Sequence, residues 1–516
     1  MAKKNIGSAI PEKRKRSILL SSPGFWIKIF VAVQMVLLAA EFSPDISTNG
    51  DDAKYLILGK SLVSGSGYHC IYEPTNPIEA QYPPLFPAFL GFFSLFGSEL
   101  LIPKIAVGII SGCMLLLLFY YLRSTFWRFA LPVTLVTALS SSVASHSTVL
   151  LSEVPYLFAS LGALMLLELY RRRGGMGVIF WVAAITAIAP AFIRTVGISF
   201  VAAWVISNIL DKKYKQAAAH LLIFIAATVL LRLTSSWNSP YIDELFRKNT
   251  YNPELGFVTI PEMIGRIGAN LHMYLFEVLP QAMLGRFPSG NAFLVLSFGL
   301  MLLTGIGWIR NFALPTRFLS FYLLFYGGII CMWQTQWTSL RFIVPILPFL
   351  IILVLLGLET VSRFVLRIFS KGKESEFLKT GIIWSLAALL AFLNGCGQLR
   401  LLNENNALTA DWINFYRCAD WVRVNTPKDA IVVSRKPEPF YLRAHRRGFV
   451  YPFSTNPEEV IDGLNKGEAQ YCILDNFFWT GTTMHYLVPA IRKHPEMFRI
   501  VYSLTDPETY VLEIRK

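Results

Sequence analysis

Charge is scarce in this chain. Of 516 residues, 16% are Asp, Glu, Lys or Arg, against about 25% in soluble domains. The 54% that are hydrophobic exclude intrinsic disorder, and the composition excludes a coiled coil. Six cysteines in this length exclude a disulfide scaffold. Cys472 alternates with apolar residues as a buried thiol would, and a Cys418–Cys472 bridge stays open. No internal repeat or low-complexity segment is visible. No His, Cys or Asp cluster has metal-ligand spacing, so no metal site is read, and a divalent ion at Asp51 or Glu153 stays open.

Long apolar runs are what the chain has instead. A spanning helix needs about 20 mainly apolar residues. Eleven candidates occur, at 24–42, 101–122, 130–146, 154–170, 177–192, 195–210, 216–233, 291–309, 318–333, 342–358 and 380–396. Lys and Arg collect in cytoplasmic loops. With the N-terminus inside, the inner segments hold 21 basic residues and the outer loops before residue 397 hold eight. The formal charge of +14 is therefore a topology signal, and a nucleic-acid footprint is not expected. The basic segment 1–23 precedes a signal anchor rather than a cleavable signal peptide. Eleven spans put the C-terminus outside.

Two outer loops are large, 43–100 and 234–290. Within the first, Tyr82 to Gly97 is apolar, but Pro83, Pro84 and Pro87 make it a poor span, and it reads as a helix lying in the interface. The tail, 397–516, carries 15 basic and 14 acidic residues. Strands are expected at Ile431–Val433, Phe449–Tyr451 and Tyr471–Leu474, a helix start at Asn456-Pro457-Glu458-Glu459 and a turn at Asp506-Pro507. The expected fold class is mostly α: a polytopic membrane domain over 24–396 with an extracytoplasmic α/β domain over 397–516.

Ionisable residues are missing from the middle of the spans; Lys28, Lys104, Glu168, His220 and Arg232 lie near ends. A proton- or ion-coupled transporter places such groups near the midplane. The polar chemistry gathers at the outer face instead. Asp51 and Asp52 open the first loop, as helix caps or as a general base whose pKa a low-dielectric surface can raise. Glu153 stands at the next outer turn, favoured there by the helix dipole or by a site, with His146 close by. Arg194 and Arg341 are each the sole basic residue of a short outer turn, suited to snorkelling or to gripping a phosphate. Arg266 and His272 lie on an amphipathic stretch of the second loop with Asn270 and Tyr274.

In this order the pieces Gly50-Asp51-Asp52-Ala53-Lys54-Tyr55, Gly65-Ser66-Gly67-Tyr68, Tyr82-Pro83-Pro84-Leu85-Phe86-Pro87, Ser152-Glu153-Val154-Pro155, the Arg194 turn and Arg341-Phe342-Ile343-Val344-Pro345 resemble the GT-C superfamily of polytopic glycosyltransferases. The resemblance is to its bacterial branch related to aminoarabinose transferases and protein O-mannosyltransferases. It covers most of the chain, including Trp421–Ala430 of the tail. It implies a multi-pass inner-membrane enzyme that moves a sugar from a polyprenyl-phosphate donor to an extracytoplasmic lipid, glycan or protein acceptor, with inversion. It implies Asp51 as base, with Asp52 and Glu153 as companion carboxylates. Arg194, Arg341 and Tyr82 would hold the donor phosphate, and Tyr55, His146, Arg266 and His272 would line the substrates. Asp51-Asp52 departs from the family's frequent Asp-Glu pair, so which aspartate acts is left open. The competing classes are a lipid or polysaccharide transporter, which predicts charges along the spans, and an envelope scaffold, which does not account for the clustered outer charges.

Overall fold

An apolar run of 16 or more residues in a hydrocarbon medium satisfies its backbone only within itself, and so becomes a helix. The computed structural model describes residues 23–48, 50–79, 81–235, 241–285, 290–369, 376–403 and 408–515. The basic N-terminal run, Arg286, Lys371 and Lys373 lie outside the described residues. All eleven expected segments are helical. Seven helices are long and apolar enough to cross a bilayer: Pro23–Glu41, Leu101–Thr125, Glu153–Arg173, Tyr214–Leu233, Asn291–Phe312, Leu340–Ile368 and Glu376–Leu402. An eighth is formed if Trp127–Ala138 and Ser141–Ser147, bent by 61°, are one span. The other three, Val178–Ile193, Thr195–Leu210 and Arg317–Met332, are apolar but shorter, about 24 Å at 1.5 Å per residue. Leu340–Ile368 is the central helix, with 89% of its apolar stretch buried, whereas Tyr214–Leu233 buries 11% and faces outward.

The bundle has two distinct ends. Leu101–Thr125 begins where Lys104 donates to Ser43 O at 2.9 Å, beside the Asp51 loop. It ends beside Arg128, whose guanidinium meets Glu359 at 3.0 Å. Its 25 residues separate the two ends by about 37 Å. The turns read as cytoplasmic are joined to one another at the second end: Arg172 donates to Ser124 O, Arg171 to Pro315 O, and Arg317 to Asp211.

At the first end the large loops fold over the bundle. Asp51–Val63 and Leu85–Ser94 are helices packed backbone to backbone. A methyl group on Gly59 would stand 2.4 Å from Pro87 O, so only glycine allows this approach. The expected interfacial segment is thus the ten-residue helix Leu85–Ser94, with Phe92, Leu95 and Phe96 exposed. The second loop carries Tyr241–Phe246 and Ile260–Met273, the latter opened by a Thr259–Glu262 capping box.

The last apolar helix runs unbroken to Asn403. Beyond it the tail builds a five-stranded sheet from β1 (Val432–Val433), β2 (Gly448–Phe449), β3 (Tyr471–Leu474), β4 (Phe498–Leu504) and β5 (Thr509–Ile514), in the order β2-β1-β3-β5-β4. The first three neighbours are parallel; β5 is antiparallel to β3 and β4. β2 lies nearer the N-terminus than the expected Phe449–Tyr451, because its parallel register matches Gly448 with Val432. Asn456 caps the Pro457–Lys466 helix by accepting from Glu458 N at 3.1 Å. All six cysteines are free thiols.

The tail is bound to both loops. Gly448 N donates to Tyr72 O at 2.8 Å, extending the β2 edge onto the first loop. Glu254 of the second loop accepts from Thr455 N at 2.9 Å, and Tyr486 OH donates to Tyr251 O at 2.8 Å.

Candidate active site

Five segments remote in sequence meet beneath these loops. Gly50, at φ +81°, turns the chain into the Asp51–Val63 helix, so Asp51 and Asp52 are its first two residues and neither caps it. Glu153 opens its own helix, and Arg194 ends Val178–Ile193 at a break imposed by the turn Thr195–Gly197. Arg341 lies in the short helical turn Leu340–Phe342 that opens the central span, ahead of its α-helical part Leu347–Phe369.

Arg341 is the keystone. Its Nη1 donates to Asp51 Oδ2 at 2.5 Å, and its Nε donates to Glu153 Oε1. Arg194 Nη1 donates to the same Glu153 oxygen and to Ser152 Oγ at 3.1 Å. The Arg194 guanidinium also lies 5.7 Å from the Phe342 ring. Glu153 is fully buried, and its Oε2 has no hydrogen-bond partner among the described residues. Tyr82 OH donates to Asp51 Oδ1 at 2.9 Å. Tyr55 packs edge-on to Tyr82, with ring centroids 4.8 Å apart, and its hydroxyl lies 3.3 Å from Ser152 Oγ. Burial opposes ionisation of Asp51, but Arg341, Lys436 and the Tyr82 hydroxyl outweigh it and hold the carboxyl below the usual aspartate range.

Asp52 is turned the other way. It is fully buried, its Oδ2 accepts from Ser47 N at 2.7 Å and its Oδ1 from Ala53 N at 2.9 Å. Burial pushes its carboxyl up. It secures the 43–47 segment, and only Asp51 meets the arginines.

The other expected residues divide. His146 is half-buried, its Nδ1 2.8 Å from Ser142 O, within electrostatic reach of Glu153. Arg266 is not brought to the cluster: Nη1 and Nη2 donate to Leu245 O and Arg247 O, each at 2.7 Å, tying two parts of the second loop together. His272 is exposed against Phe276 and also stands apart. Asn270 is spent on Cys331 O and Trp333 O.

One residue of the cluster went unread in the sequence. Lys436, from the tail, lies so close that a methyl group on Gly50 would stand 2.7 Å from its Nζ. It lies three residues past the end of β1, at the carboxyl edge of the parallel strands, where open α/β sheets place ligands. The strand expected at Ile431–Val433 carried that signal.

No protein-family model matches the sequence, and no curated protein matches it. Solved structures do. The Archaeoglobus fulgidus oligosaccharyltransferase in complex with Zn and sulfate is 15% identical, with a TM-score of 0.58 over 94% of this chain and 72% of its own. The same enzyme tethered to an acceptor peptide containing the NVT sequon gives 12% identity and a TM-score of 0.53, over 96% and 74%. ArnT from Cupriavidus metallidurans bound to undecaprenyl phosphate is 11% identical, with a TM-score of 0.57 over 95% and 98%. At such identities the likeness is one of fold: this chain is a multi-span membrane protein with the fold of the GT-C glycosyltransferases.

Proposed function

We propose that the chain is an integral membrane glycosyltransferase. It moves a sugar from a polyprenyl-phosphate donor to an extracytoplasmic acceptor (a lipid, a glycan or a protein), with inversion and with Asp51 as base. The observation that carries the reading is Arg341 bridging Asp51 and Glu153. A guanidinium held between two carboxylates is charged, oriented and able to exchange a carboxylate for a phosphate. The charge bias of the turns supports an outer-leaflet site, with the N-terminus in the cytoplasm and the tail outside.

The donor phosphate takes over part of Arg341, with Arg194 and Tyr82 beside it. Asp51 then loses the cation that depresses its basicity, so donor arrival itself readies the base. The acceptor hydroxyl or amine gives its proton to Asp51 while its heteroatom bonds to the anomeric carbon from the face opposite the phosphate. The anomeric C–O bond breaks, and its electron pair leaves on the phosphate oxygen, whose growing charge the arginines stabilise. Phosphate leaves readily, so one carboxylate serves as base and no second need act as acid. Glu153 orients both arginines, and His146 and Tyr55 flank them.

The archaeal relative in fold was solved with Zn. Here Arg341 occupies the space between Asp51 and Glu153 that a divalent cation would need, and among the described residues no three His, Cys, Asp or Glu side chains converge. As these side chains stand the two carboxylates are held by Arg341, and no step is routed through a metal.

Proteoliposomes charged with a panel of labelled polyprenyl-phosphate sugars provide the test. Sugar release by the wild type, abolished in Asp51→Asn with insertion intact, is the expected result. Undiminished turnover in that variant would refute the base assignment.

A further inference from the structure

The carboxyl ends of β2, β1 and β3 form one edge of the tail sheet. Arg435, just past β1, is caged there: its guanidinium lies 5.1 Å from the Tyr251 ring, 5.2 Å from Phe453 and 5.1 Å from Trp479. Its Nε donates to Thr482 Oγ1 at 2.8 Å. This clamp anchors the next residue. Lys436 carries its ammonium 5.2 Å over Trp479 and into the space above Gly50, where it acts on the charge of Asp51. Among the described residues its ammonium makes no hydrogen bond or ion pair, and only its backbone carbonyl is engaged, by Phe440 N.

The charges define what is missing. Asp51 and Glu153 are balanced by Arg194 and Arg341. A phosphate entering that neutral set needs a further cation. Lys54 is spent on Glu79 at 2.9 Å, and Lys104 on the carbonyls of Ser43 and Asp45. Lys436 remains, half-buried and held on a rigid edge. We infer that Lys436 binds the phosphate of the lipid-linked donor, so that the tail completes the catalytic centre instead of merely covering it. This rests on the donor class proposed above. A lysine ammonium suits the task as a point charge that can follow the phosphate as its charge grows.

The full-length protein in nanodiscs, titrated with polyprenyl phosphate lacking a sugar, tests it. Lys436→Met is expected to weaken binding about tenfold, Lys436→Arg to restore most of it, and the exposed-site control Lys428→Met to leave it unchanged. Restoration by arginine shows that the methionine variant lost a charge and not its fold. If Lys436→Met binds polyprenyl phosphate as tightly as the wild type while turnover falls, the lysine only steadies Asp51 and the inference is overturned. If the wild type itself shows no saturable binding, the donor reading fails and takes the inference with it.

Discussion

Glu153 and Glu359 are both buried carboxylates gripped by arginines, at opposite ends of the bundle. Around Glu359, both oxygens are taken: Oε1 by Arg128 at 3.0 Å and Arg363 at 2.8 Å, Oε2 by Arg310 at 3.0 Å. Around Glu153, Arg194 and Arg341 crowd onto one oxygen and the other has no partner among the described residues. Arg341 is further shared with Asp51. A fully gripped carboxylate ties helices together. One left half-satisfied, with its arginine divided between two acids, can release a cation to an incoming anion. Burying an unpaired carboxylate oxygen costs stability, and on the function proposed above the half-satisfied Glu153 belongs to the reacting end and the fully gripped Glu359 to the bracing end.

The sharpest way to break this contrast is Asp51→Asn against Glu359→Gln. Asp51→Asn leaves Arg341 paired with Glu153, so the unfolding temperature should barely move while turnover falls by about 10³-fold, the range of a lost general base. Glu359→Gln leaves Arg128, Arg310 and Arg363 without their common counter-charge and should cost about 3 kcal/mol of stability. Sugar transfer per folded molecule should stay near wild type. Thermal unfolding in detergent beside the transfer assay reads both. A Glu359 variant that is stable but inactive would erase the distinction between the ends.

A gentler change sharpens the reacting end. Arg341→Lys keeps the charge but not the fork that spans Asp51 and Glu153. Donor affinity should fall about tenfold, since an ammonium cannot serve two carboxylates and a phosphate from one position. Equal affinity would mean that the phosphate never displaces the Asp51–Arg341 pair.

How far this contrast was readable beforehand depends on what each residue's fate hangs on. The eleven helices were legible because a long apolar run has one solution in lipid, and the proline-rich segment at Tyr82 because three prolines spoil a span. Asp51, Glu153, Arg194 and Arg341 could be grouped from loop order alone, since every turn read as outer returns to the same level. Distances could not, and neither could the opposite roles of adjacent Asp51 and Asp52, which turn on which side of one helical turn faces Arg341. Arg266 sits on the same kind of amphipathic face but spends its guanidinium on the carbonyls of its own loop, a choice made by tertiary packing. Lys436 escaped because its place follows from how the tail docks, through Tyr72, Tyr251 and Glu254.

The smallest effect concerns a third buried carboxylate, in the tail beside the reacting end. Asp475 accepts from Thr483 Oγ1 at 2.8 Å, but its Oδ2 has no hydrogen-bond partner among the described residues, and burial pushes its carboxyl up to about 6. Below about pH 4 both folded and unfolded chains hold the proton and the residue contributes nothing. As pH rises from about 4 towards 6 the unfolded chain releases the proton first, so native stability falls, and above 6 the loss is constant. The shift bounds that loss at about 3 kcal/mol. Asp475→Asn removes it but also removes the attraction to Arg435, so a net gain of about 1 kcal/mol is expected at neutral pH. The gain should shrink as the solution is acidified. Unfolding temperatures of wild type and variant at pH 4.5 and 7.5 decide the matter. A gap that does not widen with rising pH would mean that Asp475 is already satisfied, and that its free oxygen marks no cost.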